Sequence, residues 1–324
     1  MLMDNGTRRF FDLFGTVFLI VGKESQMITG YTKMAGVIAT PIKHSLSPLI
    51  HNSAYQFAKL DAVYLAFDVE TKNCQPAFEA ITALNMMGVN ISMPYKTQAY
   101  QFADEVSEVS RRLGVCNTLI NREGLIYGTT TDGYGFSQSL KDEKVDAELK
   151  KVVILGAGGA SKAVAYQLGL ENAAEIHIFK RNNETFAVEK NHFLAFNQYF
   201  KSNYYFHSFS DQHILQEKIS NCDILINATN VGMAEASKLS PIKDANCLQE
   251  RTIVFDLIYN PLETKLMCQA REKNCHVING VGMLLHQAAA SYELMTGEKM
   301  AIEHVKQILL TELKRRETYE NIIK

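Results

Sequence analysis

Two side chains of opposite charge stand where an α/β protein does chemistry. Lys96 closes the run NISMPYK and Asp132 sits in GTTTDGYG. Each follows a short apolar, β-branched run that reads as a strand, and open α/β sheets gather their sites just beyond the carboxyl ends of strands. A lysine beside an aspartate can form a proton-transfer pair, the carboxylate holding the amine in place. Spacing alone does not make the pair, because most lysines and aspartates are solvated surface charges. Ser45 and Ser47 in HSLSP can donate to a carboxylate, or Ser47 can cap a helix starting at Pro48. Asn117 lies inside a strand-like run, where asparagine is depleted. His44, His51 and His286 show no metal-ligand spacing, so no metal is expected and they read as structural. The methionines between 85 and 93, and Met283, read as core filler.

A second chemistry is written in glycines. KVVILG (151–156) is apolar on both faces, as a buried parallel strand is. GAGGA follows at once and opens a helix over 156–169. Gly156 permits the tight turn, Gly158 lets the backbone approach a pyrophosphate, and the helix N-terminus offers free N–H groups to the anion. Ser161 takes the third glycine position, with Ala160 and Ala163 beside it. The competing reading is a glycine turn that binds nothing. The next strand, EIHIFKR (175–181), ends in Phe179-Lys180-Arg181-Asn182-Asn183, with no carboxylate until Glu184. Such an end favours a 2′-phosphate, hence NADP over NAD, although the two cations can also simply close a strand in solvent.

The elements that must position these groups alternate. Strands are expected at 35–41, 63–69, 89–93, 116–121 and 124–130, the last two joined by an Arg122-Glu123-Gly124 turn. Helices are expected at 49–60, 74–85 and 95–106. Helices of this length between strands imply parallel pairing. Strands at 151–156, 175–181, 222–229, 252–260 and 276–280 follow, with a helix at 264–274. The stretch 182–211 is read as one helix and one strand. Two helices close the chain, 282–297 ending at Gly297 and 302–316.

The chain has 324 residues, 47% hydrophobic and 21% charged, with a formal net charge of −2. That length suggests two domains. No basic excess exists to neutralise a phosphate backbone, so a nucleic-acid partner is not expected. The six cysteines contain no C-x-x-C pair, which argues against a disulfide framework or zinc site and for a reducing compartment. Phe10–Val21 is too short for a membrane span and no small-x-small cleavage site follows it. Residues 1–33 are read as an N-terminal extension, with Met27 and Met34 as alternative starts.

The motifs together resemble the shikimate dehydrogenase family. PIKHSLSP (41–48), GVNISMPYK (88–96), GVCNTL (114–119), GTTTDGYG (128–135), GAGGASKA (156–163), NATNVGM (227–233), FDLIYNPLETKL (255–266) and GVGMLLHQA (280–288) run in the family's order. The resemblance implies an α/β fold with an N-terminal substrate domain (34–140 with 282–324) and a Rossmann-like NAD(P)-binding domain (141–281). The C-terminal helices would return to the former. It implies an oxidoreductase that reversibly reduces 3-dehydroshikimate to shikimate with NADP, in aromatic amino acid (chorismate) biosynthesis. Lys96 and Asp132 match the catalytic pair. Ser45 and Ser47 match the serines that hold the substrate carboxylate. Ser92, Asn117, Tyr259 and Gln287 match positions lining the substrate hydroxyls. Gly156, Ala157, Gly158, Gly159 and Ala160, then Lys180, Arg181, Asn182 and Asn183, then Asn230, Leu257, Ile258 and Gly280, match cofactor contacts. Ser92 stands where threonine is usual, Thr130 where asparagine is, and Lys180 replaces an asparagine. Other wording is closer to the quinate/shikimate branch, which uses NAD or NADP. A quinate/shikimate dehydrogenase and a non-catalytic NADP-binding regulatory paralogue are the alternatives. A cytoplasmic monomer or homodimer, without a membrane partner, is expected.

Overall fold

The computed structural model describes residues 7–11, 17–21 and 27–323. Strands β1 (Thr7–Phe11) and β2 (Val17–Val21) pair antiparallel in a two-stranded sheet of their own. The rest of the first 26 residues lies outside the described residues.

The next elements are β3 (Lys33–Ala39), α1 (Ser47–Ala58), β4 (Ala62–Asp68), α2 (Cys74–Ala83), β5 (Gly88–Ile91), α3 (Lys96–Phe102), β6 (Glu105–Val106), α4 (Glu108–Leu113), β7 (Thr118–Arg122) and β8 (Leu125–Thr129). Their strands form one sheet in the order β4-β3-β5-β7-β8-β6. Parallel pairing holds for β3 with β4 and β5. It fails beyond: β7 runs antiparallel to both β5 and β8. For β8 the reason is the turn after Arg122. Glu123 and Gly124 both take positive φ, 54° and 97°, the conformation of a two-residue hairpin, which forces antiparallel neighbours. Helix α4 was not expected, being six residues long and too short to show a period. Ser107 caps it, accepting from Ser110 N at 3.2 Å, and Gly114 ends it at φ 66°.

Helix α5 (Asp132–Asp142) leads out of this sheet. After it come β9 (Lys151–Leu155), α6 (Gly159–Leu170), β10 (Glu175–Lys180), α7 (Phe186–Ala195), β11 (Asn203–Ser208), α8 (Gln212–Asn221), β12 (Ile224–Asn227), β13 (Ile253–Asp256), α9 (Lys265–Glu272) and β14 (His276–Ile278). This second sheet is parallel at every pairing, in the order β11-β10-β9-β12-β13-β14. Its central strand β9 buries Val152 to Leu155 completely, as its two-faced apolar run requires.

Helices α10 (Val281–Thr296) and α11 (Ile302–Ile323) finish the chain, α10 ending at Gly297 with φ 78°. On α11, Val305, Leu309 and Leu313 recur at helical spacing and are fully buried against Leu46, Ile50 and Tyr55 of the α1 region and Leu285 and Tyr292 of α10. The last helices therefore return to the first sheet. Helix α5 is clamped through its glycines. A Cβ on Gly135 would stand 2.7 Å from the Met283 carbonyl oxygen of α10, and one on Gly133 would stand 2.9 Å from the Ala163 oxygen of α6. Only bare backbone lets three helices meet this closely. All six cysteines are free thiols, and among the described residues no helix is long and apolar enough to cross a membrane.

Candidate active site

Because β7 opposes both of its neighbours, β5 and β8 run the same way and their carboxyl ends share one edge of the sheet. Lys96 starts α3 just beyond β5, and Asp132 starts α5 just beyond β8. Asn117 precedes β7, which begins at that same edge. The three side chains meet. Lys96 Nζ lies 2.5 Å from Asp132 Oδ2, and Asn117 Nδ2 donates to Asp132 Oδ1 at 2.7 Å. Both side chains of the ion pair are largely shielded, 20% and 12% exposed. Asp132 also sits in the first turn of a helix, where the dipole favours its negative charge.

Asn117 is itself fixed from behind. Its Oδ1 accepts from Thr131 N (3.0 Å) and Thr118 Oγ1 (2.8 Å), which turns its amide nitrogen toward the carboxylate. Asn90 Nδ2 donates to Thr118 Oγ1 at 3.1 Å, and Tyr64 OH donates to Asn90 Oδ1 at 2.7 Å. Asn90, Thr118, Thr131 and Tyr64 escaped the sequence reading. The available signal was Asn90 itself, a polar residue in the middle of the buried strand VNISM.

The loop HSLSP lies between β3 and α1. Leu46, not Ser47, is the cap residue of α1, and no side chain caps it; Ser47 is its first helical residue. The capping alternative for Ser47 therefore falls. Ser45 Oγ accepts from Ser47 N at 3.3 Å, a local turn that holds both hydroxyls in one loop. Ser92 is exposed just past β5. Gln287 lies on α10 beside Gly135, its amide nitrogen donating to the Leu284 carbonyl at 2.8 Å. Tyr259 is half-buried beyond β13. Burial pushes its phenol up, while the Arg316 cation pulls the other way. Met93, expected as core filler, is instead 65% exposed, whereas Met86 and Met283 are buried.

Opposite the pair stands the glycine turn. Gly156 has φ 106°, and a Cβ there would stand 2.7 Å from the Ala228 carbonyl oxygen, so the fold itself demands glycine. Ser161 is fully buried and its hydroxyl donates to the Gly156 carbonyl at 2.7 Å, which explains serine at the third glycine position. Gly158 differs. A Cβ there would meet nothing within 4 Å, and no side chain caps the helix it opens. Protein packing does not require glycine at 158; bare backbone there leaves the free N–H groups of α6 open to an approaching anion. The turn, with Ala157, Gly159 and Ala160, therefore fits a dinucleotide pyrophosphate. A Cβ on Gly159 would stand 3.8 Å from Lys96 Cδ, so turn and ion pair face each other.

At the end of β10, Arg181, Asn182 and Asn183 are exposed. Lys180 Nζ donates to Asn183 Oδ1 at 2.7 Å, and Thr185 Oγ1 donates to the same oxygen at 3.2 Å. That arrangement turns the Asn183 amide nitrogen away from Lys180 and adds a donor to a cationic end, which suits a 2′-phosphate. Asn230 is exposed after β12, and Leu257 is half-buried. Ile258 is 3% exposed; its N–H donates to Asp256 Oδ1 at 3.1 Å and its carbonyl accepts from Gly280 N at 2.9 Å. Gly280 must be glycine, since a Cβ there would collide with the Leu257 carbonyl. Beneath these loops Asp256 accepts from Thr264 Oγ1 (2.7 Å) and Asn227 Nδ2 (2.9 Å), an unexpected buried brace.

The chain matches the family model of the shikimate dehydrogenase substrate binding domain over residues 37–119 and that of the shikimate 5′-dehydrogenase C-terminal domain over 280–310. A curated relative from Alkaliphilus metalliredigens, named shikimate dehydrogenase (NADP(+)), is 40% identical over 284 residues, covering 88% of this chain and 98% of that one. Shikimate 5-dehydrogenase from Listeria monocytogenes, solved with shikimate and NAD, superposes with a TM-score of 0.83 at 37% identity, covering 87% of this chain and 98% of that chain. Quinate dehydrogenase from Corynebacterium glutamicum, solved with NAD, gives a TM-score of 0.78 at 26% identity, covering 86% and 99%. The chain belongs to the shikimate dehydrogenase family.

Proposed function

We propose that this protein is an NADP-linked dehydrogenase interconverting shikimate and 3-dehydroshikimate, and that the 2.5 Å pair of Lys96 and Asp132 facing Gly159 carries the reaction. Bound NADP supplies the hydride acceptor or NADPH the donor. The protein supplies proton handling and orientation. In reduction the Lys96 ammonium gives a proton to the ketone oxygen as the carbon receives the hydride, and in the oxidative direction the neutral amine, having first released its proton to solvent, takes the proton of the reacting hydroxyl as the hydride leaves. Asp132 holds the amine in reach and balances its charge. Asn117 keeps Asp132 from turning away. Ser45 and Ser47 receive the substrate carboxylate, and Ser92, Asn117, Tyr259 and Gln287 line the ring hydroxyls. The turn 156–160 takes the pyrophosphate, residues 180–183 the 2′-phosphate, and Asn230, Leu257, Ile258 and Gly280 the remaining contacts. Residues 34–140 with 282–324 act as the substrate domain and 141–281 as the nucleotide domain. The protein works in the cytoplasm as a monomer or homodimer.

A substrate-by-cofactor matrix tests this: shikimate and quinate, each with NADP and NAD, on purified protein. Shikimate with NADP is expected to give the highest kcat/KM. Faster quinate turnover would move the protein to the quinate branch. Cofactor binding without turnover of either acid would make it a regulatory paralogue.

A further inference from the structure

We propose that Arg316, on the last helix, is a specificity-determining residue for the acid group of the substrate. The proposal rests on the reading that Ser45 and Ser47 receive the carboxylate.

The guanidinium reaches the serine loop directly. Arg316 Nη1 donates to the His44 carbonyl at 3.0 Å, and His44 immediately precedes Ser45. The next residue reaches the opposite loop. Glu317 Oε1 accepts from Leu262 N at 2.7 Å, three positions after Tyr259. Two consecutive side chains of one helix thus hold both the serine loop and the tyrosine loop. That helix is immobilised by its buried stripe Val305, Leu309 and Leu313. Arg316 is in turn braced by Glu312, whose Oε1 accepts from its Nε at 2.8 Å. Arg315 shares the same carboxylate through two bonds of 2.7 and 2.9 Å. Glu312 is held down at about 2 by the two arginines, first Arg315, and stays an anion throughout the working range. Glu317 adds a negative charge, but on the side of Leu262. The Arg316 guanidinium is the cation that touches the serine loop. The Tyr259 phenol feels it too, since Arg316 opposes the upward push of burial there.

A planar, preorganised guanidinium bonded to the peptide before Ser45 does two things. It fixes the loop whose hydroxyls meet the acid group, and it biases that end of the cleft toward an anion. A neutral ligand of the same shape shares the fixed loop and gains little from the charge.

The test compares shikimate with its carboxamide. Arg316→Ala and Arg316→Lys are assayed on both, with Ser47→Ala as reference. Arg316→Ala is expected to raise KM for shikimate about 10-fold with kcat within about 2-fold, while kcat/KM for the carboxamide falls by no more than about 3-fold. Arg316→Lys should fall between. An equal loss on both substrates, or none on either, overturns the proposal. If Ser47→Ala discriminates acid from amide and Arg316→Ala does not, this proposal alone falls. If Ser47→Ala does not discriminate either, the carboxylate reading falls and the proposal with it. Should Arg316→Ala fail to fold, Arg316→Gln keeps an amide donor for the His44 carbonyl, drops the charge and is read in the same way.

Discussion

Gly159 faces the aliphatic stem of Lys96, with room for one methyl group between them. That relationship sets the phosphate turn directly across from the ion pair, and it assigns different duties to neighbouring glycines. Gly156 is required by its own φ and by the Ala228 carbonyl, whereas nothing in the protein crowds Gly158. Gly158→Ser should therefore separate folding from binding. Serine is at least as good a helix cap as glycine, so thermal stability should hold or rise by a few tenths of a kcal/mol. Its side chain enters the approach of the pyrophosphate, so NADPH affinity should drop at least ~10-fold, or about 1.4 kcal/mol. Titration of cofactor fluorescence beside a melting curve measures both. Unchanged affinity would show that the anion does not come to this backbone.

Lys96→Ala should lower turnover by at least ~100-fold, the usual scale for a lost proton donor or acceptor, and leave NADPH binding intact. Gly159 faces only the stem of Lys96 and is not packed against it, so removing the side chain leaves the turn undisturbed. Steady-state rates with a parallel cofactor titration decide the point. Activity near the wild-type level would remove Lys96 from the mechanism.

Cofactor choice should respond to Arg181 and Asn183. Arg181→Ala should weaken NADPH by about 10-fold and NADH much less, because only the former presents a dianion to the guanidinium. Asn183→Asp should act in the same direction by repulsion, and it also gives Lys180 a charged partner in place of the present 2.7 Å amide contact. Equal effects on both cofactors would show that this end of β10 does not read the 2′-phosphate.

Much of this site is legible in the sequence because it depends on local rules. The buried strand β9, its glycine turn and the following helix are adjacent in the chain, and each has a local signature. The meeting of Lys96, Asn117 and Asp132 is of another kind. It depends on β7 reversing direction between β5 and β8, which brings two strand ends and one strand start to a single edge. The Arg122-Glu123-Gly124 turn announces a hairpin, yet the expectation of parallel strands hid its consequence. Helix α5 was missed because Gly133 and Gly135 depress helix propensity, and they are there for contact with α6 and α10. Asn117, odd for a strand, is explained by Asp132. The brace of Asp256, Asn227 and Thr264 joins residues distant in sequence, and no spacing rule brings them together.

Histidines buried in neutral form should make the fold sensitive to mild acid. His51 is 1% exposed and stacked on Tyr64 with ring centroids 4.1 Å apart, and neither ring nitrogen has a protein partner. Burial lowers its pKa from 6.5 to about 3. His192 and His207 are also lowered, each to about 4, chiefly by burial. The sign follows from the proton count. Above pH 6.5 both folded and unfolded chains carry neutral imidazole and no penalty arises. Below it the unfolded chain binds a proton that the folded one refuses, so stability falls with pH until the folded group titrates. For His51 alone the loss by pH 5 is about 2 kcal/mol, since each unit below 6.5 costs about 1.4 kcal/mol. His51→Phe keeps the stack on Tyr64 and removes the titrating group. Its Tm should consequently fall less than that of the wild type between pH 7 and pH 5, whatever its absolute value at pH 7. Parallel pH slopes for the two proteins would mean that His51 takes up its proton in the folded state.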